Sequence, residues 1–163
     1  MLGKKISVKK LFLLLLAAIL ALLLLFFLHG PFLEPGVEDA VSQAVLAQVE
    51  EAADPDLVAA EGHKIFQATE EGEELVVYGV FCYGLYQVGE DQRGQRVSGS
   101  DAVPAKLTFR KEGDGSWTLQ RYEEAGSKEL RSELFPLSLR PFFLFMSWYD
   151  RDLEEQVTEY LIP

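Results

Sequence analysis

The spacing of apolar residues changes period along this chain, and each change marks an element. Leu11 to Leu28 is an unbroken run of eighteen Leu, Phe, Ala and Ile residues. As a helix rising about 1.5 Å per residue it covers about 27 Å, close to the hydrocarbon thickness of a bilayer, so the run predicts a transmembrane helix. Gly30-Pro31 and Pro35-Gly36 follow, a composition that interrupts a helix and offers a short linker. From Val37 to Ala52 the apolar residues Val37, Val41, Ala44, Val45, Val49 and Ala52 recur at helical spacing, with Glu38, Gln43 and Glu50 on the opposite face. Asp54-Pro55-Asp56 is the expected stop, because proline disfavours helical geometry in the residue before it.

After His63 the period becomes that of strands. Lys64 to Thr69 predicts a short strand, Glu70-Glu71-Gly72-Glu73 a turn, and Leu75 to Val88 a longer strand rich in Val, Tyr and Phe. The longer strand is apolar on both parities, with Val76, Tyr78, Val80 and Tyr86 on one side and Leu75, Val77, Phe81, Tyr83 and Leu85 on the other. It is therefore expected at the centre of a sheet, covered on both faces for part of its length. Gly79 and Gly84 inside it predict a bend or bulge. Gly89 to Arg96 is polar and predicts a loop. From Val103 to Arg110, Ala105, Leu107 and Phe109 alternate with Lys106, Thr108 and Arg110, the pattern of a strand with one wet face. Gly113-Asp114-Gly115 turns that strand into Ser116–Tyr122.

Leu130 to Leu134 predicts one or two helical turns ending near Pro136. A final helix capped near Asp150 would present Leu153, Val157, Tyr160 and Leu161 on one face. Between them, Phe142 to Met146 and Trp148 predict either core or an apolar patch on the bilayer surface, or a contact with a partner. The whole pattern is α+β: an N-terminal transmembrane helix, a helix, a curved antiparallel meander of about four strands, cystatin-like or NTF2-like, and C-terminal helices. The expected division is a basic cytoplasmic tail over 1–10, the anchor over 11–28, a linker over 29–36 and an extracytoplasmic domain over 37–163.

Charge orients the anchor. Lys4, Lys5, Lys9 and Lys10 precede it, whereas His29, Glu34, Glu38 and Asp39 follow it, so the positive-inside rule places the N-terminus in the cytoplasm. The expectation is a single-pass plasma-membrane protein held by a signal-anchor, with its C-terminal domain outside. A cleaved secretory signal would have a shorter apolar region and a small-x-small site; here the run continues into Phe26-Phe27-Leu28-His29-Gly30-Pro31. All 26 acidic residues lie beyond the span, with 11 lysines and arginines, a balance of −15. Such a surface disfavours nucleic acid and anionic headgroups as partners. Cys82 is the only cysteine, which excludes an intramolecular disulfide and a lipidated cysteine at the end of the span. Its apolar surroundings, with no basic residue nearby in sequence, predict a buried, inert thiol.

Several segments recur as a set. Glu61-Gly62-His63-Lys64-Ile65-Phe66, Tyr83-Gly84-Leu85-Tyr86, Val97 to Pro104 with Leu107-Thr108-Phe109, Gly113 to Leu119 with Tyr122-Glu123-Glu124, and Leu134-Phe135-Pro136 follow one another in this order. From Ala60 to Pro136 the chain resembles an uncharacterised extracytoplasmic domain of Gram-positive, clostridia-type bacteria. That domain is found on single-span membrane proteins and behind the metallopeptidase half of beta-lactam-sensor-like proteins. The resemblance implies an outward-facing domain of unassigned function. Family members carry proline and then Asp-Gly where this chain has Ala125-Gly126-Ser127, and His-Glu-x-x-His is absent from the sequence, so peptidase activity does not transfer.

The chemistry-bearing residues are few. A zinc site needs three or four matched ligands, and His29 and His63 are the only histidines. No metal site and no cofactor are expected. His63 is expected at the helix-to-strand junction as a hydrogen-bonded structural residue; a catalytic role would need a carboxylate such as Asp101 beside it. Asp150-Arg151-Asp152-Leu153-Glu154 lacks the glycine and terminal glutamate of a calcium loop. Ser98-Gly99-Ser100-Asp101 lacks a nucleophile-elbow frame. The aromatics Tyr83, Tyr86, Trp117 and Tyr122 are the candidate ligand-binding residues, on the concave face of a curved sheet, with cross-strand packing as the competing role. The expected function is a non-catalytic interaction or ligand-sensing module in the membrane, with a small-pocket NTF2-like enzyme or a structural subunit of a membrane complex as alternatives. Ligand and membrane-protein partner are unspecified by the sequence.

Overall fold

The computed structural model describes residues 8–29, 33–49, 54, 56–89 and 94–161, in two units divided between Phe32 and Leu33. The first unit holds helix α1, Val8–His29, 22 residues with no acidic residue in its first turn. Its side chains are described only from Lys9 to Ile19, and among the described residues no helix is long and apolar enough to cross a membrane. Residues 1–7 of the expected tail and 30–32 of the expected linker lie outside the described set; of the rest, 8–10 and His29 belong to α1 and Pro35 and Gly36 to the next helix, so both helices begin earlier than the sequence pattern suggests.

The second unit is α+β. Helix α2 (Pro35–Leu46) opens on a proline at its first turn, where the missing N–H is not needed. It starts two residues earlier than the apolar spacing suggests and ends at Leu46, followed by turn residues; 50–52 lie outside the described set. Four strands follow: β1 (Leu57–Glu71), β2 (Glu74–Val88), β3 (Gly94–Lys111) and β4 (Trp117–Glu124). They pair antiparallel in the order β1-β2-β3-β4, so β2 has a strand on each side, and its two apolar parities face the two sides of the sheet. The chain closes with α3 (Lys128–Leu134), a 3-10 segment (Leu137–Phe145) and α4 (Met146–Tyr160).

Two hairpin turns sit where glycine supplies a left-handed backbone. Gly72 has φ +67° and Gly115 φ +87°. At the second, the Asp114 carboxylate accepts from the Ser116 N–H at 3.0 Å and from the Ser116 hydroxyl at 2.7 Å.

The sheet has one helix on each face. On the first face α2 buries Val37, Val41, Ala44 and Val45 against Ile65, Leu75, Val77, Phe81, Ala105, Leu107 and Phe109. On the second, Val157 of α4 packs with Ala60 and Tyr86, Phe66 touches Tyr149 at 5.3 Å, and a Cβ on Gly62 would lie 3.0 Å from the Leu153 carbonyl. The register breaks at Ile65/Gln67, opposite Gly79, and twice between β2 and β3. A side chain on Gly79 would meet the Lys64 carbonyl at 2.7 Å, and side chains on Gly84 or Gly99 would overlap the opposite strand's backbone. The glycines thus lie beside the bends and allow the backbones to close together there.

Several boundaries correct the sequence reading. β1 begins at Leu57, seven residues before Lys64. Ala59-Ala60-Glu61-Gly62 has weak strand propensity, yet it pairs with Tyr83 to Leu85 and with Cys82 because β2 offers a long apolar ladder. β3 begins at Gly94, where a loop was expected. Its first half is polar because much of it stays exposed while pairing with β2 alone. Two groups at that edge have partners: Arg96 donates to the Ser100 carbonyl at 2.8 Å and the Ala102 N–H donates to Asp150 at 3.0 Å; just beyond, the Ala125 N–H donates to the Pro104 carbonyl at 2.8 Å. Asp150 therefore binds β3, and α4 begins four residues earlier, at Met146.

Candidate functional site

The four aromatics do not converge. Tyr83, Trp117 and Tyr122 pack at the margins of the α2-side core, whereas Tyr86 lies on the opposite face against Ala60 and Val157. The parity of β2 separates them, since residues 83 and 86 point to opposite sides of the sheet. Trp117 carries the Lys111 ammonium 4.9 Å above its ring. Tyr83 donates its hydroxyl to Glu124 at 2.9 Å. Tyr122 lies 6.2 Å from Phe81, and its buried hydroxyl has no hydrogen-bond partner among the described residues. Burial, with Glu124, Tyr83 and Glu61 nearby, raises its pKa.

His63 lies within β1, on the α2 side. Its Nδ1 is 2.9 Å from Glu61 Oε2, and its Nε2 is 3.4 Å from Glu38 Oε1 on α2. Ser42, one turn beyond Glu38, donates its hydroxyl to Glu61. The His63 and Glu61 side chains are 12% and 8% exposed, Glu38 59%. Burial opposes a charge on the imidazole, but the hydrogen bond and charge of Glu61, followed by those of Glu38, outweigh it and raise the His63 pKa above 6.5. With a carboxylate at each ring nitrogen, the ring satisfies both by donating twice, which only the protonated form does. The arrangement clamps α2 to β1. Asp101, the carboxylate weighed for His63, is instead paired with Arg96 on β3.

The two carboxylates were missed although a signal existed. Glu61 and His63 share a strand face at i, i+2, and Glu38 and Ser42 a helix face at i, i+4; the first pairing becomes visible only once β1 extends back past His63.

Cys82 is buried, with Sγ 3.8 Å from the Tyr86 hydroxyl and 3.4 Å from the Ser100 carbonyl. Burial raises its pKa, and the neighbouring Tyr86 and Arg96 only partly offset this. No group of His, Cys and carboxylates among the described residues is arranged to hold a metal.

Half of the sheet's second face lies beyond the cover of α4. An open cleft of ≈ 720 Å³ runs over Lys106, Thr108, Arg110, Arg121 and Glu123, flanked by Glu71, Glu73 and Glu74 of the β1–β2 turn. A smaller one of ≈ 210 Å³ shares Glu71, Glu74 and Lys106 and extends to Gln67, Thr69, Val76, Tyr78 and Pro136. Cations and acids interleave: Lys106 is 3.8 Å and Arg121 3.6 Å from Glu123, and Arg110 is 3.6 Å from Glu73. The Arg110–Glu73 pair is exposed on both sides and therefore weak, whereas Lys106 and Glu123 are each only about a quarter exposed, 27% and 26%.

No family model matches the chain, and no similar protein was found among curated proteins or solved structures.

Proposed function

We propose that the chain is a single-pass protein of the plasma membrane whose outward-facing α+β domain binds a partner protein through the uncovered half of its sheet and performs no catalysis. The uncovered face carries this reading: it is shallow, polar and charged with both signs, which suits a protein surface better than a small ligand that must be enclosed. The membrane part rests on the eighteen-residue apolar run and the lysines before it.

The test is photo-crosslinking in native membranes from a benzoylphenylalanine at Thr108, with and without Lys106→Glu and Arg121→Glu. A discrete protein adduct that the charge reversals abolish supports the reading. An adduct pattern no different from that at Gly113, in the β3–β4 turn, overturns it.

A catalytic reading has one observation in its favour, the buried Glu61–His63 pair. It stands second because both imidazole nitrogens are held by carboxylates, and neither of the two clefts is lined by them.

A further inference from the structure

The 3-10 segment carries more apolar residues than the domain buries. Phe142 stacks on Phe66 at 4.6 Å and Phe143 meets Phe135 edge-on at 4.9 Å, so these rings close the second face of the sheet. Leu137 and Leu144, by contrast, are 74% and 83% exposed, with Leu130 of α3 exposed as well, and these leucines mark the outer edge of this part of the domain. We propose that this outer edge lies in the headgroup layer of the bilayer in which α1 is anchored, an inference that rests on the membrane reading of α1.

Three observations select the bilayer. First, the tether is short: five residues separate His29 from Pro35, a reach of about 20 Å at full extension. The membrane surface is thus held at high effective concentration near the domain. Second, the charge is locally permissive. The domain carries −15, yet residues 126–149 hold Lys128, Arg131 and Arg140 against only Glu129 and Glu133. The Arg131 guanidinium lies 5.7 Å from the Phe143 ring, a cation beside the apolar edge, which is the composition of an interfacial segment. Third, three exposed leucines offer apolar area on the order of a few hundred Å², less than the roughly 800 Å² per partner of a stable dimer. A second copy is therefore a poor occupant, whereas partial insertion into headgroups needs no matched partner surface.

The experiment uses the full chain in phosphatidylcholine nanodiscs, with an NBD fluorophore on Leu144→Cys or, for comparison, on Val97→Cys in the polar half of β3. Both positions are exposed, so neither label displaces core, and near-UV circular dichroism verifies the fold of each. Unsubstituted protein, whose only thiol is buried, controls for stray labelling. Lipids carrying a doxyl quencher near the headgroup are expected to quench the probe at 144 at least twofold more than at 97. Equal, water-like emission at both sites overturns the inference. A blue-shifted but unquenched probe at 144 also overturns it, and if the shift grows with protein loading it identifies a second copy as the occupant. If the chain fails to float with the discs at all, the membrane reading itself is refuted; retention without quenching refutes only the placement of this edge.

Discussion

Replacing His63 by alanine tests whether the clamp between α2 and β1 is ionic. The imidazole holds Glu61 at 2.9 Å in a setting where both side chains are mostly buried, and Glu38 at 3.4 Å in a more exposed one. A hydrogen bond to a charged group is worth about 1.5–3 kcal/mol, while the exposed Glu38 contact adds about 0.5 kcal/mol or less. His63→Ala is therefore expected to cost about 2–3 kcal/mol at pH 6. For a domain of this size that lowers Tm by roughly 6–15 °C. The sign of the pH dependence follows from the direction of the shift. Folding raises the His63 pKa above its ordinary 6.5, so the folded state holds the proton more tightly. The ionic contribution is complete below pH of about 6.5 and is lost as pH rises through the folded value. The assay is thermal unfolding of the full chain in detergent micelles, followed by near-UV circular dichroism, at pH 6 and pH 9 for the wild type, His63→Ala and Glu61→Gln. The Tm deficit of His63→Ala should shrink by about half at pH 9, and the double variant should lose less than the sum of the singles. A deficit that is the same at both pH values would show the imidazole to be neutral throughout and refute the ionic clamp.

Gly99→Ala should destabilise by about 3 kcal/mol or more, because Gly99 has φ +131° and a Cβ there would overlap the Tyr83 backbone; chemical denaturation measures it. Leu153→Ala, removing a fully buried side chain of α4 beside Gly62, should cost about 2–5 kcal/mol, with a wide spread set by how far the site collapses. Asp150→Ala removes the acceptor for the Ala102 N–H, and unfolding in urea should show a loss of about 1–2 kcal/mol with an unchanged m-value. At pH 8 the Cys82 thiol, buried and with a raised pKa, should react with iodoacetamide at least tenfold more slowly in the folded chain than after denaturation, as read by mass spectrometry.

The sequence made visible whatever follows from period and turn chemistry. The double parity of Leu75–Val88 anticipated a central strand, and the Gly113-Asp114-Gly115 reversal lies where it was expected. The α+β class follows from those elements together with the helical spacing around Val41. What stayed hidden depends on pairing. Ala59 to Gly62 and Gln95 to Asp101 are poor strand sequences in isolation and become strands only because β2 supplies partners. Missing the first of these displaced His63 to the edge of an element and hid its neighbour Glu61. Missing the second left Asp101 unassigned to Arg96. Of the candidate aromatics, Tyr83, Trp117 and Tyr122 share the α2 face, and only Tyr86 departs, because residues 83 and 86 have opposite parity on β2.

The position of the uncovered half-sheet follows from a mismatch of rise. A strand advances about 3.3 Å per residue and a helix about 1.5 Å, so the fifteen residues of β2 extend for roughly 50 Å and the fifteen of α4 for roughly 22 Å. One helix cannot cover such a strand, and on the second face the 3-10 segment adds only part of what is missing. The side chains mark where cover ends. Under α4 that face presents Ala60, Gly62, Val80, Cys82 and Tyr86, all buried; beyond it come Gln67, Thr69, Lys106, Thr108 and Arg121, with the half-buried Val76 and Tyr78 between them. On the α2 face the apolar series continues through Leu75, Leu107 and Phe109 to Leu119 and Trp117. A chain that merely lacked a covering element would leave apolar residues exposed across the same stretch. The change to polar side chains on one face alone fits a surface that stays in water, and a crosslinker at Thr108 tests whether a partner meets it there.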